Sequence, residues 1–579
     1  MSIERWNEKA SFIWSVADLL RGPYRPNQYK DVMLPMLVLR RLDCVLAPTK
    51  DAVLAKNADL EERGKKQNAE LVLNEITGHR FHNTSKFTFE RLKGEPDTIA
   101  ENLVDYIAGF SKQAKEILEH FGFEEQIARL DKADRLFLIL SRFCEVDLHP
   151  SKVSNREMGY LFEELIRRFN EASNEEAGDH FTPREVIRLM VNLLFAEDDA
   201  VLTTPGIIRT LYDPACGTGG MLSVAEEYVE ELNPEAELKV FGQDYNDQAY
   251  AICGSDLLIK GQDPANVHFG DSFTDDHFAG QRFDYLLANP PFGVDWKAQE
   301  AAIKKEHETK GYAGRFGAGL PPINDGALLF LQHMIAKMKD PVQEGSRIGI
   351  VFSGSPLFTG SAGSGPSEIR RWIIENDWLE AIVAIPDQLF YNTGIATYIW
   401  VVTNRKAPGR QGKVQLVDGR AFYRKMRKSL GNKRNEIGED QCRELVRLYG
   451  ASEENEHVRV FANEDFGYRR VTVERPLRLT FAVTDERLAR LREAPAFANL
   501  AGSRKRKDAA LIAAEEEAGR EQQAAVLAAL ETLRPLGIVR SRDEFTAALK
   551  AAFRVQRLAV PAPVMKAVLA ALSERDETA

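Results

Sequence analysis

Ala288-Asn289-Pro290-Pro291-Phe292-Gly293 follows the apolar run Phe283-Asp284-Tyr285-Leu286-Leu287, and the two together decide how the chain is read. A short run rich in Leu and aromatics, stopped by a Pro-Pro pair and a Gly, predicts a buried strand ending at the carboxyl edge of a sheet. Open α/β sheets bind ligands along that edge. Consecutive prolines fix φ and remove N–H donors, so the turn is stiff and presents acceptors, the Asn289 side-chain oxygen and the Pro290 carbonyl, without competing donors. Phe292 adds a flat face. Such groups suit a planar ring carrying an exocyclic amine: two acceptors that take both amine hydrogens favour a more tetrahedral nitrogen with an available lone pair, while the aromatic ring stacks on the base. No strong general base is required. Taken alone, the stretch also fits a proline-terminated strand in an ordinary α/β domain.

Working outward, short apolar runs alternate with helical patterns, which implies a parallel sheet. A strand over 207–212 runs into Asp213-Pro214-Ala215-Cys216-Gly217-Thr218-Gly219-Gly220, where glycines let the backbone approach a ligand at a helix N-terminus. The next strand, 238–243, ends at Asp244, about 25 residues beyond the glycines, where an acid in such folds hydrogen-bonds ribose hydroxyls. A third strand over 267–273 carries Asp271, Ser272 and Phe273, and the fourth carries Asn289. Further strands are expected over 348–352, 379–386 and 397–402, the last two closing the sheet. The predicted fold is α/β, a Rossmann-like doubly wound sheet with its candidate ligand contacts on one edge. The glycine turn lacks the G-x-G-x-x-G order of nicotinamide sites, and no P-loop is present. Strand ends in sequence, with the amine-binding turn last, fit a nucleoside cofactor beside an amine acceptor.

Ahead of the sheet, residues 6–151 are patterned as helices with a proline inside 32–42, and nothing there carries chemistry. Ser154 and Glu157 have capping-box spacing before the apolar stripe Met158, Leu161, Phe162, Leu165 and Phe169. A polar link then leads to His180-Phe181-Thr182-Pro183-Arg184-Glu185. Thr182 as N-cap with Pro183 at the first helical position predicts a second helix start, and capping alone would explain both residues.

With 579 residues the chain has room for several domains, and 28% charged with 44% hydrophobic residues is ordinary for a soluble globular protein. Apolar runs are short and the amino terminus lacks the regions of a signal peptide, which places the chain in the cytoplasm with no membrane association. Five scattered cysteines imply neither disulfides nor a zinc site. A net charge of −11 argues against coating nucleic acid by global charge, leaving that work to local basic patches or a basic partner.

The segments Gly178-Asp179-His180-Phe181-Thr182-Pro183, Asp213 to Gly220, Gly270-Asp271-Ser272-Phe273, Asn289-Pro290-Pro291-Phe292 and Lys425-Met426-Arg427-Lys428-Ser429-Leu430-Gly431, with the helical region 12–46, resemble the S-adenosylmethionine-dependent amino methyltransferases of DNA. More narrowly, the chain resembles the modification (M) subunit of type I restriction-modification systems over nearly its whole length. The resemblance implies N6 methylation of adenine in duplex DNA. It implies that Asp213, Ala215 and Gly217-Thr218-Gly219-Gly220 line the methionine end of S-adenosyl-L-methionine, Asp244 holds the ribose, Asp271, Ser272 and Phe273 meet its adenine, and His180-Phe181-Thr182-Pro183 closes over it. Asn289, Pro290 and Pro291 then orient the target amine, while Phe292 stacks on a base flipped from the helix. No metal is implied. The sequence departs from the family's pattern at Asp244, where Glu is common, and at His180.

The resemblance also implies a separate specificity (S) subunit, two M subunits bound to it, and a restriction (R) motor-nuclease subunit for cleavage. Residues 295–324, with Lys304, Lys305, Lys310 and Arg315, read as one loop that fits either a DNA contact or a mobile lid. Arg424-Lys425-Met426-Arg427-Lys428 and Lys433-Arg434 fit backbone contacts to DNA, or a solvated surface helix. Arg504-Lys505-Arg506-Lys507 reads as a linker. Helices over 509–533 and 563–572 fit a partner surface or a self-packed bundle. The expected division is 1–151 helical, 152–475 methyltransferase and 476–579 helical. Two competing functions are a glutamine-N5 protein methyltransferase, whose amide nitrogen poses the same lone-pair problem, and a non-catalytic scaffold of a DNA-binding complex.

Overall fold

The computed structural model describes residues 4–576 apart from 66, 68, 174–181, 199–201, 261, 343, 392, 470, 473–477 and 504–508. The chain divides into two compact units, Met1–Tyr468 and Arg469–Ala579.

The first unit is built on a nine-stranded sheet. In chain order its strands are β1 (Ile208–Asp213), β2 (Glu237–Asp244), β3 (Val267–Phe269), β4 (Tyr285–Ala288), β5 (Arg347–Ser353), β6 (Leu379–Ile385), β7 (Thr397–Thr403), β8 (Lys413–Asp418) and, after the separate hairpin β9 (Arg424–Leu430) and β10 (Lys433–Glu436), β11 (Val458–Ala462). Their spatial order is β3-β2-β1-β4-β5-β7-β6-β8-β11. The strands from β3 to β5 run parallel, β7 lies antiparallel between β5 and β6, and β11 runs antiparallel to β8. β4 is buried along its whole length, which explains its unbroken apolar sequence.

Two strand expectations shift, each for a local reason. β7 does not follow β6 at the sheet edge but inserts beside β5. The connection from Ile385 to Thr397 is short and carries no helix among its described residues, too little chain for a parallel crossover, so β7 returns antiparallel. The third strand stops at Phe269, because Gly270 turns at φ +150° and the Asp271 carboxylate accepts the Phe273 and Thr274 N–H groups at 2.8 and 3.0 Å.

The helices that frame the ligand edge are α1 (Lys30–Leu46), α2 (Asn155–Ser173), α3 (Arg184–Phe195), α4 (Gly220–Leu232), α5 (Asp247–Lys260), α6 (Glu300–Lys310), α7 (Ala327–Ala336) and α8 (Glu439–Ala451). α2 starts with the capping box expected of Ser154 and Glu157: the Ser154 N–H donates to Glu157 Oε2 at 2.8 Å and the Glu157 N–H to Ser154 Oγ at 3.2 Å. α3 differs from expectation. Its N-cap is Pro183 in extended geometry and the helix begins at Arg184, so Thr182 stands one residue outside and its side chain does not cap. The N-terminal helices share one hydrophobic cluster with α2 and with Ala251, Ile252 and Leu258 of α5, which welds them to the sheet domain.

The second unit carries its own core. Phe481, Leu488, Leu530, Phe545, Leu549 and Val568 pack together, and α9 (Ala509–Glu531) supplies the long helix expected there. The strands β12 (Leu479–Phe481) and β13 (Ser573–Arg575) pair antiparallel and join the two ends of the unit. The C-terminal helices thus form a self-packed bundle. The Arg504 to Lys507 run lies outside the described residues.

At the amino ends of β5 and β6, Arg347 and Glu380 form a fully buried ion pair at 2.8 Å, and Tyr449 of α8 bonds to both. Burial raises the Glu380 carboxyl, but Arg347 and the hydrogen bonds around it win and hold it below the usual range. Removing the cation would strand a buried carboxylate, so Arg347→Met should lower the stability of the first unit by about 3–5 kcal/mol in urea unfolding. Because Arg347 sits at the edge away from Asn289, cofactor affinity of the folded protein should not change; a stability change under about 1 kcal/mol would show the pair to be dispensable.

Candidate active site

The carboxyl ends of β1, β2, β3 and β4 meet around a cavity of about 280 Å³. β1 lies between β2 and β4, so the cavity opens where the strand order reverses, the place where doubly wound sheets bind ligands. Ala215, Gly217 and Thr218 line it from the first turn, Asp244 from the second, Asp271, Ser272 and Phe273 from the third, and Asn289 with Pro291 from the fourth.

The first turn is shaped by its glycines. Gly217 and Gly219 have φ of +54° and +83°, and a Cβ on Gly219 would lie 2.7 Å from Cys253 Sγ. The Gly217 N–H donates to Asp244 Oδ2 at 2.8 Å, and the Asn246 N–H to Oδ1 at 2.9 Å, so the Asp244 carboxylate ties the end of β2 to the glycine turn. Ser272 Oγ donates to the Pro214 carbonyl at 2.6 Å and staples the third turn to the first. Gly220 opens α4, behind the lining.

Asp213 is 1% exposed and accepts the Ala215 N–H at 2.9 Å. Burial pushes its carboxyl up to about 8, the Ala215 N–H works against this, and Asp244 adds to it. A buried acid this hard to ionise is suited to a cationic neighbour.

At the fourth turn Asn289 is 8% exposed. Its Nδ2 donates to Thr182 Oγ1 at 2.8 Å, while its Oδ1 is buried with no hydrogen-bond partner among the described residues. With the nitrogen bonded to Thr182, the oxygen is the end of the amide that meets the cavity. Pro290 is buried behind the turn, and the half-buried Phe292 packs edge-to-face on Phe390 with centroids 6.2 Å apart. His180 and Phe181 lie outside the described residues.

Residues 295–324 are not one loop. They contain α6, and Trp296, Ile303 and Phe316 are buried in a cluster with Phe273 and Leu329. Arg315 is anchored inward, donating to the Ser272 and Phe273 carbonyls at 2.9 and 2.7 Å and pairing with Glu306 at 2.7 Å; Lys304 pairs with Glu300. Gln299 reaches the cavity and donates to Asp271 Oδ2 at 2.6 Å. The helical N-terminal region also contributes, against expectation, through Lys30 and Leu34 of α1. No spacing signal links positions so far from the motifs; only the apolar stripe of α2, whose Ile166 and Phe169 also line the cavity, was visible in sequence.

The model of the N-6 DNA methylase family matches residues 153–466, and that of the HsdM N-terminal domain matches 9–143. The chain belongs to the N-6 DNA methylase family. It is 26% identical over 469 residues to the type I restriction enzyme MjaIX methylase subunit of Methanocaldococcus jannaschii, covering 77% of this chain and 78% of that one. It is 24% identical to the EcoKI methylase subunit of Escherichia coli K12, over 51% of this chain and 54% of that one. The crystal structure of the type I restriction-modification methyltransferase subunit from Streptococcus thermophilus shares the fold, with a TM-score of 0.63 at 20% identity, over 79% of this chain and 96% of that one. The protein is an adenine-N6 DNA methyltransferase of the type I modification-subunit kind, with S-adenosyl-L-methionine as methyl donor. Among the described residues no helix is long and apolar enough to cross a membrane, and no cluster of metal-ligating side chains occurs.

The Asp213 carboxyl gives a pH-dependent prediction. Its folded value of about 8 lies above the ordinary 3.8, so the native state holds the extra proton between those values and stability falls as pH rises from about 4 to about 8, then levels. Asp213→Asn removes this penalty and keeps an acceptor for Ala215. The melting temperature of the variant relative to the parent should rise as pH is raised across that window; a difference that does not vary with pH would show that Asp213 ionises normally.

Proposed function

We propose that Asn289 Oδ1 and the Pro290 carbonyl take the two hydrogens of the target adenine amine, that Pro291 stiffens their presentation, and that Phe292 stacks on the extruded base. The observation that carries this reading is the buried Asn289 oxygen without a partner among the described residues, on the wall of the cavity. A buried acceptor left unbonded costs about 1–3 kcal/mol, which a substrate N–H would relieve. S-adenosyl-L-methionine supplies an electrophilic methyl on a cationic sulfur.

The chain's own groups suit that donor. Asp213, beneath the glycine turn, gives up its proton more readily once a cation lies at the methionine end beside Ala215, Gly217, Thr218, Gly219 and Gly220; Asp244 meets the ribose, a carboxylate having lone pairs for more than its backbone donors. Asp271, Ser272 and Phe273 hold the adenine end, with Gln299 closing over it. Thr182 and Pro183 serve at the same turn, but Thr182 acts through Asn289. It is a positioning residue. If the amide turned over, an N–H would face the amine and repel it.

As a modification subunit the protein acts in a complex with other subunits. We assign sequence recognition to a specificity subunit carrying two copies of this chain, with a restriction subunit added for cleavage. In this reading residues 1–151 brace the cofactor side, 152–475 carry methyl transfer and 476–579 meet the partner. Duplex DNA is the substrate; family membership speaks against a protein amide as acceptor and the intact Asn289 turn against a scaffold.

Labelled methyl transfer to duplex DNA, with and without the specificity subunit, tests the division of labour: activity should appear only with the partner, and equal site-specific activity without it would overturn the assignment. Asn289→Ala should lower the turnover about 10²-fold or more. Thr182→Val should lower kcat about tenfold, the loss of one hydrogen bond, with cofactor affinity unchanged and Thr182→Ser restoring the rate. Weakened cofactor binding at unchanged kcat would make Thr182 a direct cofactor contact instead.

A further inference from the structure

The chain's second basic stretch folds as a hairpin, not as the surface helix that its charge pattern also allowed. β9 and β10 pair with Lys425 opposite Asn435 and Leu430 opposite Lys433, and the register shifts between Lys433 and Asn435. Strand alternation turns Lys433 and Asn435 inward and leaves Arg434 exposed between them.

The inward groups fasten the hairpin to the active-site wall. Lys433 is 3% exposed, pairs with Glu185 of α3, and donates to the Leu389 carbonyl at 2.9 Å. Asn435 Nδ2 donates to the Asp387 carbonyl at 3.0 Å, the Arg434 N–H to the Gln388 carbonyl at 2.9 Å and the Asn432 N–H to the Tyr391 carbonyl at 2.8 Å. That 387–391 loop carries Phe390, which packs on Phe292, and Glu185 lies three residues after Thr182. Topology agrees. β8 runs parallel to β6, and β6 in the same sense as β4, so the hairpin leaves the sheet at the edge where Asn289 sits.

The outward groups are unlike a protein-docking face. Lys425, Arg427 and Arg434 are exposed, and none has a carboxylate within ion-pair distance among the described residues; Arg424 is taken by Asp440. Ser429, Gly431 and Asn432 are the other exposed residues around the tip, and Glu436 is the exposed acid at its base. No large apolar side chain among those described in the hairpin is exposed, whereas protein interfaces rest on aromatic and aliphatic anchors. On a chain of net charge −11 a local cationic element is what a polyanion would engage.

We propose that the β9–β10 hairpin is a clamp for DNA phosphates, gripping the backbone beside the target base through Lys425, Arg427 and Arg434. Its grip is independent of base sequence, since phosphate contacts position a duplex and base contacts read it. Through the 387–391 loop it also registers the duplex against Phe292. The proposal rests on the reading of the site as a DNA methyltransferase and adds to it an element outside the catalytic turn.

The test uses the full-length chain, and its assembly with the specificity subunit, carrying Lys425→Gln, Arg427→Gln and Arg434→Gln. Affinity for a short duplex is measured between about 50 and 200 mM salt, where each lost phosphate contact lowers the slope of log K against log salt by about 0.9. The triple variant should lose about 2–3 from that slope and each single variant about 0.9, with cofactor affinity, melting temperature and the choice of methylated site unchanged. A charge-preserving set, Lys425→Arg, Arg427→Lys and Arg434→Lys, should keep the parental slope. An unchanged slope in the triple variant overturns the clamp while leaving the methyltransferase reading intact, as does loss of subunit assembly at unchanged slope, which would make the hairpin a protein contact. Absence of methyl transfer by the unaltered assembly would instead overturn the reading beneath it.

Discussion

The site depends on one hydrogen bond that is made and one that is not. Asn289 donates to Thr182 and leaves its carbonyl oxygen buried and unanswered among the described residues. An amide has both a donor and an acceptor end, and a planar side chain free to turn would present either. Here the Thr182 hydroxyl takes the nitrogen end and leaves the oxygen end to the cavity. Everything else around the turn serves to keep this arrangement stiff: the prolines fix the chain beyond Asn289, the fully buried β4 fixes it before, and Phe292 is backed by Phe390.

The sheet is what brings the parts to one place. Because the chain builds β1 to β3 outward on one side and then returns to lay β4 on the other side of β1, the first and fourth turns face each other across a gap that no strand fills. The second and third turns are then drawn to the first by Asp244 and Ser272. The segment after Asn289 closes the remaining side, since Arg315 and Gln299 bond to the third turn. The first three turns and the segment after Asn289 thus belong to one hydrogen-bonded frame.

Much of this was legible in sequence because it depends on local chemistry. The proline stop after an apolar run, the glycines after Asp213 and the Ser154–Glu157 box each fix backbone geometry within a few residues, and each forms as read. What was not legible depends on distant partners. Thr182 has the residue type and spacing of an N-cap, but its hydroxyl is claimed by Asn289, 107 positions away. Among the cations of 295–324, Arg315 is taken by Glu306 and the 272–273 carbonyls. The basic run at 424–428 has no periodicity that separates helix from strand, and the burial of Lys433 depends on Glu185 and the Leu389 carbonyl, both distant in sequence. Lys30 and Leu34 reach the cavity only because α1 packs with α5, a contact between regions that share no motif.

Two buried groups around the site hold opposite deficits. Beneath the glycine turn is a carboxyl too buried to ionise easily; at the proline turn is a carbonyl oxygen without a proton to accept. In the proposed reading a cationic sulfur compound answers the first and an aryl amine the second. The reaction then brings these two answers into contact and discharges the cation. This argues that the chain contributes to methyl transfer chiefly by fixed polar groups set before either reactant arrives, with positioning taking the place of a general base.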